Sequence, residues 1–113
     1  MHPTAHVKRR QQASLDEIVR RIVEAYQPKR VYLFGSGARG DEHFDSDYDL
    51  MVIVPDDARR ERTRSRLGYQ VLRGTGTAVD LLVWTKSEFD KRLHVTASLP
   101  ATIVREGKLL YAS

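Results

Sequence analysis

The chain has 113 residues, no cysteine and a formal charge of +4. This length fits one domain, and the missing thiols exclude disulfides, cysteine catalysis and thiolate metal sites. No apolar run approaches the ~20 residues of a membrane span, and residues 1–13 lack the apolar stretch of a secretory signal. We therefore expect a cytoplasmic protein, for which the small surplus of basic residues permits nucleic-acid binding without favouring it.

Charge is distributed unevenly along the chain. Residues 1–40 carry a net charge of +5, residues 41–57 a net charge of −7, and residues 58–113 a net charge of +6. The middle block holds seven acidic side chains and no basic one. Carboxylates concentrated between basic flanks are compatible with a cation site or with a solvated acidic loop.

The first predicted helix follows a polar tail over residues 1–13. The S-x-x-E capping box of Ser14 and Glu17 predicts where this helix begins, and Pro28 ends it. Apolar residues at helical spacing predict one buried stripe, made of Leu15, Ile18, Val19, Ile22, Val23 and Tyr26. The apolar run over 31–34 then predicts a buried strand.

Two further apolar runs predict strands over 48–54 and 79–84, and the first, apolar on both faces past Asp49, is expected to be covered on both sides for much of its length. Residues 57–73 between these strands predict an Arg-rich helix. Ser87 with Asp90 predicts the cap of a short helix that contains Phe89 and Leu93. A helix over 96–106 follows, with Pro100 in its first turn. Residues 108–111 then predict an edge strand. This order predicts an α/β domain, a small mixed sheet flanked by helices.

Gly35 and Ser36 open a turn of small residues directly after the first predicted strand. Glycine lets the backbone approach a ligand closely, and free backbone N–H groups at a helix start favour a phosphate. By itself a Gly-Ser pair is a very weak signal, for which a plain turn is the better interpretation.

Asp47 and Asp49 lie at the start of the second predicted strand. Side chains at i and i+2 of a strand point to the same face, so these two carboxylates are held side by side. Their like charges repel unless a cation lies between them, and oxygen ligands without Cys or His suit Mg²⁺ or Mn²⁺. The alternative is a solvated acidic loop whose side chains make turn hydrogen bonds.

Asp80 is the only charged residue of the third predicted strand. A carboxylate in such an apolar run needs a partner, which is either a metal ion or an arginine. If the third strand is adjacent to the second, Asp80 lies beside Asp47 and Asp49. Three carboxylates there could hold two metal ions ~4 Å apart for in-line attack on a phosphate.

These residues together resemble the nucleotidyltransferase superfamily of DNA polymerase beta, and within it the minimal nucleotidyltransferase (MNT) branch. The similarity rests on the stretches 34–41 (FGSGARGD), 45–50 (DSDYDL) and 103–111 (IVREGKLLY) and spans roughly residues 14–112. At Gly37 the family often has a large or basic side chain. The resemblance implies the polymerase beta-like fold and a nucleotidyltransferase domain over residues 14–113.

The resemblance also implies a set of catalytic and metal-binding residues. Asp47 and Asp49 would bind two Mg²⁺ ions, and Asp80 would bind the catalytic one and help to deprotonate the acceptor hydroxyl. Gly35 and Ser36 would hold the outer phosphates of a nucleoside triphosphate, expected to be ATP. The acceptor oxygen would attack the α-phosphate, and pyrophosphate would leave.

Arg39 is the third expected nucleotide-binding residue, beside Gly35 and Ser36. It is well placed to steady a phosphate. It could equally pair with Asp41 or Asp45.

The small size of the chain bears on its partner. A triphosphate and two metal ions need only this core, so the acceptor or part of its site is expected to come from another chain, and a homo-oligomer is one option. The MNT resemblance implies a HEPN-type toxin as partner, with the MNT protein acting as antitoxin by transferring AMP to a tyrosine (AMPylation). The arginines of residues 57–73 could bind such a partner, RNA or only solvent.

Two other functions stay open. The chain could be a binding module of the same fold that neutralises or scaffolds a partner without chemistry. It could also transfer a nucleotide to a small molecule such as an aminoglycoside, which would require an oligomer to complete the acceptor pocket.

Overall fold

The computed structural model describes residues 14–35 and 48–113. The predicted polar tail over residues 1–13 lies outside these ranges. In chain order the elements are α1 (Leu15–Tyr26), β1 (Arg30–Phe34), β2 (Tyr48–Val54), a 3₁₀ turn (Arg60–Thr63), α2 (Ser65–Val71), β3 (Val79–Thr85), α3 (Lys86–Asp90), α4 (Leu99–Glu106) and β4 (Lys108–Ala112). Within the described ranges, each helix is too short or too polar to traverse a lipid bilayer.

The four strands form one mixed sheet in the order β3-β2-β1-β4. β1 is antiparallel to both β2 and β4, whereas β2 and β3 are parallel. A parallel pair needs a crossover connection, and the 3₁₀ turn and α2 lie in it. The predicted α/β architecture is confirmed, and the second and third strands are neighbours, as the predicted metal site requires.

β2 is the centre of the hydrophobic core, and its residues 50–54 are fully buried. Because strand side chains alternate, these residues divide between two clusters, one on each face of the sheet. Leu50 and the residues alternating with it pack with α1 and α2, whereas Met51 and Ile53 pack with Phe89 of α3 and Ile103 of α4. Coverage of both faces explains why this strand is apolar from Leu50 to Val54.

The start of α1 agrees with the predicted cap. The Ser14 hydroxyl accepts a hydrogen bond from the Glu17 N–H at 3.1 Å. The Glu17 carboxylate bonds with Arg20 at 2.6 Å and with Arg21 at 2.9 Å, and these bonds lower the pKa of Glu17 to about 2. Arg21 also donates to the Val71 carbonyl at 3.1 Å and so links α1 to α2.

The prediction of one helix over residues 57–73 is wrong. Arg64 has extended backbone angles (φ −116°, ψ 143°) and separates the 3₁₀ turn from α2. The cause is the Tyr26 hydroxyl, which donates to the Arg64 carbonyl at 2.5 Å and accepts from the Gly68 N–H at 2.7 Å. In a continuous helix that carbonyl and that N–H would bond to each other. Tyr26 is inserted between them, and the helix begins only after Arg64.

The short helix α3 also differs from its prediction. Thr85, rather than Ser87 with Asp90, caps it, because the Thr85 hydroxyl accepts from the Glu88 N–H at 3.3 Å. Ser87 lies inside the helix and donates its hydroxyl and its N–H to the Asp56 carboxylate, which lowers the pKa of Asp56. Asp56 therefore fastens the end of β2 to α3.

The last helix is shorter than predicted. α4 begins at Leu99 because the Ser98 hydroxyl accepts from the Ala101 N–H at 3.2 Å. Pro100 does lie in the first turn, and Gly107 follows the last helical residue. The chain then returns along β1 as the predicted edge strand.

Tyr26→Phe should lower the free energy of unfolding by about 2 kcal/mol, because the Arg64 carbonyl and the Gly68 N–H lose their shared partner. Burial raises the pKa of Tyr26 to about 12, from about 10 for an exposed tyrosine. The hydroxyl therefore stabilises the fold fully below pH 10, and this contribution is lost as the pH rises through 12. Urea unfolding of both proteins at pH 7 and in alkaline buffer measures the difference. Equal unfolding midpoints at pH 7 would contradict the role given to this hydroxyl.

Candidate active site

Three of the predicted site residues meet at one end of the sheet. β1 ends next to Gly35, and β2 and β3 begin at the same end. The register pairs Asp49 with Phe34 of β1 on one side and with Asp80 of β3 on the other. Paired residues of neighbouring strands project from the same face, and the strands lie about 4.8 Å apart. The two carboxylates therefore share one face.

Gly35 is required at its position for two reasons. Its φ is +69°, a left-handed conformation that side chains disfavour. A Cβ placed on it would lie 2.6 Å from Oδ2 of Asp49. Only glycine lets the turn approach this carboxylate, so the Gly-Ser pair is more than a plain turn: its first residue contacts the acidic site.

Asp80 is exposed at the start of β3. The Tyr69 hydroxyl lies 3.5 Å from its Oδ1. No arginine within residues 14–35 and 48–113 forms an ion pair with Asp80, so the arginine partner considered from the sequence is not found there.

Three predicted site residues lie outside the described residues: Ser36, Arg39 and Asp47. Their expected roles in phosphate and metal binding stay predictions. The alternative pairing of Arg39 with Asp41 or Asp45 also falls there.

The described part of the site fits a divalent cation with a preference for oxygen. Asp49 and Asp80 come from adjacent strands in exact register, which fixes the backbone under both carboxylates. Carboxylate oxygens are the ligands that Mg²⁺ and Mn²⁺ prefer. The described residues contain no cluster of three or more His, Cys, Asp or Glu that could hold a metal ion. The predicted third carboxylate, Asp47, lies outside them.

The arginines of the predicted long helix lie on a broken segment. An open groove of about 700 Å³ runs along the 3₁₀ turn and the start of α2, and Arg60, Arg64 and Arg66 line it. None of these three forms an ion pair with another described residue. Their charge is therefore available at the surface, on both sides of the break at Arg64.

Two tyrosines that matter for the site were not singled out from the sequence as polar contacts. Tyr26 was assigned to the apolar stripe of α1, and its hydroxyl fixes the start of α2. Tyr69 contacts Asp80 only because α2 packs beside β3. No local motif marks either contact, since each joins residues that are distant in the sequence.

Three solved structures share this fold. One is a protein from Sulfolobus solfataricus provisionally described as a nucleotidyltransferase; it is 24% identical, with a TM-score of 0.53 over 85% of this chain and 75% of that one. Another is a chain of a toxin–antitoxin complex with AMP-PNP, 22% identical with a TM-score of 0.56 over 88% and 75%. The third, from a mutant of the MntA–HpeT toxin–antitoxin complex, is 21% identical with a TM-score of 0.57 over 89% and 75%.

At these identities the structural likeness establishes the fold alone. No curated protein matches the chain closely enough to add to it. The model of one protein family, described as the nucleotidyltransferase domain, matches residues 15–110, which is most of the chain and includes Gly35, Asp49 and Asp80. Together with the mixed sheet, this match assigns the chain to the nucleotidyltransferase domain family.

Proposed function

We propose that the chain is an Mg²⁺-dependent nucleotidyltransferase that moves AMP from ATP to a hydroxyl of a partner HEPN-type toxin and thereby acts as its antitoxin. The acceptor is expected to be a tyrosine. The observation that carries this proposal is the register of Asp49 with Asp80 beside Gly35, because it brings two carboxylates and a close-approaching turn to one end of the sheet.

Each residue then has a chemical role. Asp47 and Asp49 would hold two Mg²⁺ ions, and Asp80 would hold one of them. When bound, Mg²⁺ supplies positive charge that stabilises the reacting phosphates. Gly35 and Ser36 would bind the outer phosphates through their backbone N–H groups.

The transfer step needs little beyond positioning and a proton acceptor. The acceptor oxygen bonds to the α-phosphorus, the bond from that phosphorus to its bridging oxygen breaks, and pyrophosphate leaves. The acceptor proton passes to the Asp80 carboxylate, which then releases it to solvent. Arg39 would steady a phosphate as its charge is redistributed.

The comparisons support the nucleotide and the partner separately. One structural neighbour is a toxin–antitoxin complex with AMP-PNP, an analogue of ATP. Another is a mutant of the MntA–HpeT complex in which two aspartates two residues apart are replaced by glutamate. Asp47 and Asp49 of this chain have the same spacing. These points favour ATP as the donor and a toxin as the partner.

The size and shape of the domain also favour a protein acceptor. The sheet is covered by two helices on each face, and Asp49 and Asp80 lie at the end of the sheet where β2 and β3 begin, with Asp80 exposed. An acceptor bound there needs a wall, and in a domain of this size we expect part of that wall to come from another chain. A partner protein supplies both the hydroxyl and that wall.

Co-expression of the chain with the candidate HEPN-type partner tests the proposal. The intact mass of the partner should rise by one or more AMP groups, tandem mass spectrometry should locate them on a tyrosine, and the partner expressed alone should carry none. A partner that is neutralised but keeps its mass would contradict the proposed chemistry. That result would instead favour the non-catalytic binding module, for which the surface arginines of the groove are the supporting observation.

A further inference from the structure

Tyr69 joins α2 to the start of β3 through its hydroxyl. The hydroxyl oxygen accepts a hydrogen bond from the Leu81 N–H at 3.1 Å and lies 3.5 Å from Oδ1 of Asp80. Since the N–H can only donate, the single proton of the hydroxyl is directed to the carboxylate. We propose that Tyr69 is a positioning residue that holds Asp80 in the orientation needed for nucleotide transfer. The kinetic part of this inference rests on the proposed function.

The contact is possible because β3 is an edge strand. Among the described strands, the order β3-β2-β1-β4 leaves the outer side of β3 without a strand neighbour. α2 packs against one face of the sheet, whereas the alternation of β3 places Asp80 on the other. The Tyr69 side chain therefore passes the outer edge of β3. Its hydroxyl accepts a hydrogen bond from the Leu81 N–H at this edge and lies near the Asp80 carboxylate on the opposite face.

The position of α2 is itself tightly determined. A Cβ added to Gly68 would lie 2.1 Å from Cδ2 of Leu81, so α2 approaches β3 as closely as a glycine permits. The Tyr26 hydroxyl holds the start of α2, and Arg21 binds its last carbonyl at 3.1 Å. Tyr69 thus projects from a helix that is anchored on both sides of it.

The contact with Asp80 gives that carboxylate one partner and leaves Oδ2 for the reaction. An exposed aspartate otherwise samples several χ1 rotamers, and holding one of them avoids an ordering cost during catalysis. The distance of 3.5 Å is long for a hydrogen bond, as is common for catalytic contacts without substrate. Tyr69→Phe keeps the ring, its packing and the helix, and removes the hydroxyl that orients Asp80 and that also accepts from the Leu81 N–H.

NMR spectroscopy of the full chain without nucleotide or metal tests the positioning directly. Three-bond couplings about the Cα–Cβ bond of Asp80 should report one rotamer in the wild type and averaged rotamers in Tyr69→Phe. Tyr111→Phe is the matched control, since it removes a hydroxyl from the strand at the opposite edge of the sheet and should keep the wild-type couplings. Unchanged Asp80 couplings in Tyr69→Phe would overturn the proposal.

Kinetics test the consequence for transfer. Tyr69→Phe should lower kcat about tenfold and leave KM for ATP unchanged, because the hydroxyl acts through Asp80 and not on the nucleotide. In an Asp80→Asn background, Tyr69→Phe should cause no further loss. A full tenfold loss in that background would overturn the proposal. If the wild type transfers no nucleotide, the proposed function fails, and the Asp80 couplings still decide whether Tyr69 positions the carboxylate.

Discussion

Asp49→Asn should slow AMP transfer to the partner by on the order of a thousandfold, and Asp80→Asn should have an effect of the same size. Asparagine keeps the size of the side chain but removes the negative charge that binds a divalent cation and accepts the proton of the acceptor hydroxyl. The two residues are register partners, so each variant leaves one carboxylate of this pair. Incorporation of label from α-phosphate-labelled ATP into the partner measures the rate.

Asp57→Asn is the matched control for both variants. Asp57 is exposed in the turn after β2, at the opposite end of that strand from Asp49. This variant should transfer AMP at the wild-type rate, and thermal melts should show that all three proteins remain folded. Wild-type rates in Asp49→Asn and Asp80→Asn would remove the basis of the proposed catalysis.

Gly107→Ala should lower the free energy of unfolding by about 3 kcal/mol. The new Cβ would lie 2.6 Å from the Ile103 carbonyl oxygen and 2.7 Å from the Leu33 carbonyl oxygen. Both atoms are backbone atoms, so no side chain can turn away to make room. Either the last turn of α4 or the pairing of β1 with β4 must open. Guanidinium unfolding followed by circular dichroism measures the loss.

Gly74→Ala separates this steric effect from the general cost of replacing a glycine. Gly74 has φ +87°, and a Cβ there would meet no atom within 4 Å. The backbone strain alone should therefore cost about 1 kcal/mol. Equal losses in the two variants would mean that the close approach at Gly107 relaxes without cost.

The strands were predicted well because their limits are marked in the sequence. Past Asp49, β2 is an apolar run that ends at Pro55, and its observed limits, Tyr48–Val54, are those predicted. A buried strand needs apolar residues on both faces, and that requirement is visible in the composition of the run itself. The first helix was equally clear, since Ser14 and the apolar spacing are local signals.

Helices that depend on distant contacts were predicted less well. No pattern between residues 57 and 73 indicates that the helix is interrupted, because the hydroxyl that interrupts it belongs to Tyr26 of α1. The same holds for Ser87, which was predicted to cap α3 but instead donates hydrogen bonds to the Asp56 carboxylate. Local patterns indicate what a segment prefers, and tertiary contacts decide between nearly equal alternatives.

The residue types of the candidate site could be predicted from the sequence, but their arrangement could be predicted only on the condition that the second and third strands are neighbours. Asp49 and Asp80 were expected to be adjacent if the second and third strands were neighbours, and the register meets that condition. The contact of Gly35 with Asp49 and that of Tyr69 with Asp80 could not be predicted, since both depend on packing distances that no spacing in the sequence encodes.

The parallel pairing of β2 with β3 also couples the site to folding. Asp49 and Asp80 are separated by the whole crossover that contains α2, so a chain with only the β1–β2 pair formed has isolated carboxylates. Closing that crossover carries a loop-closure entropy, which delays such non-local pairing. A ligand that needs both carboxylates therefore binds the native state and not the partly folded chain. By mass action, a higher concentration of this ligand would raise the apparent stability of this small domain.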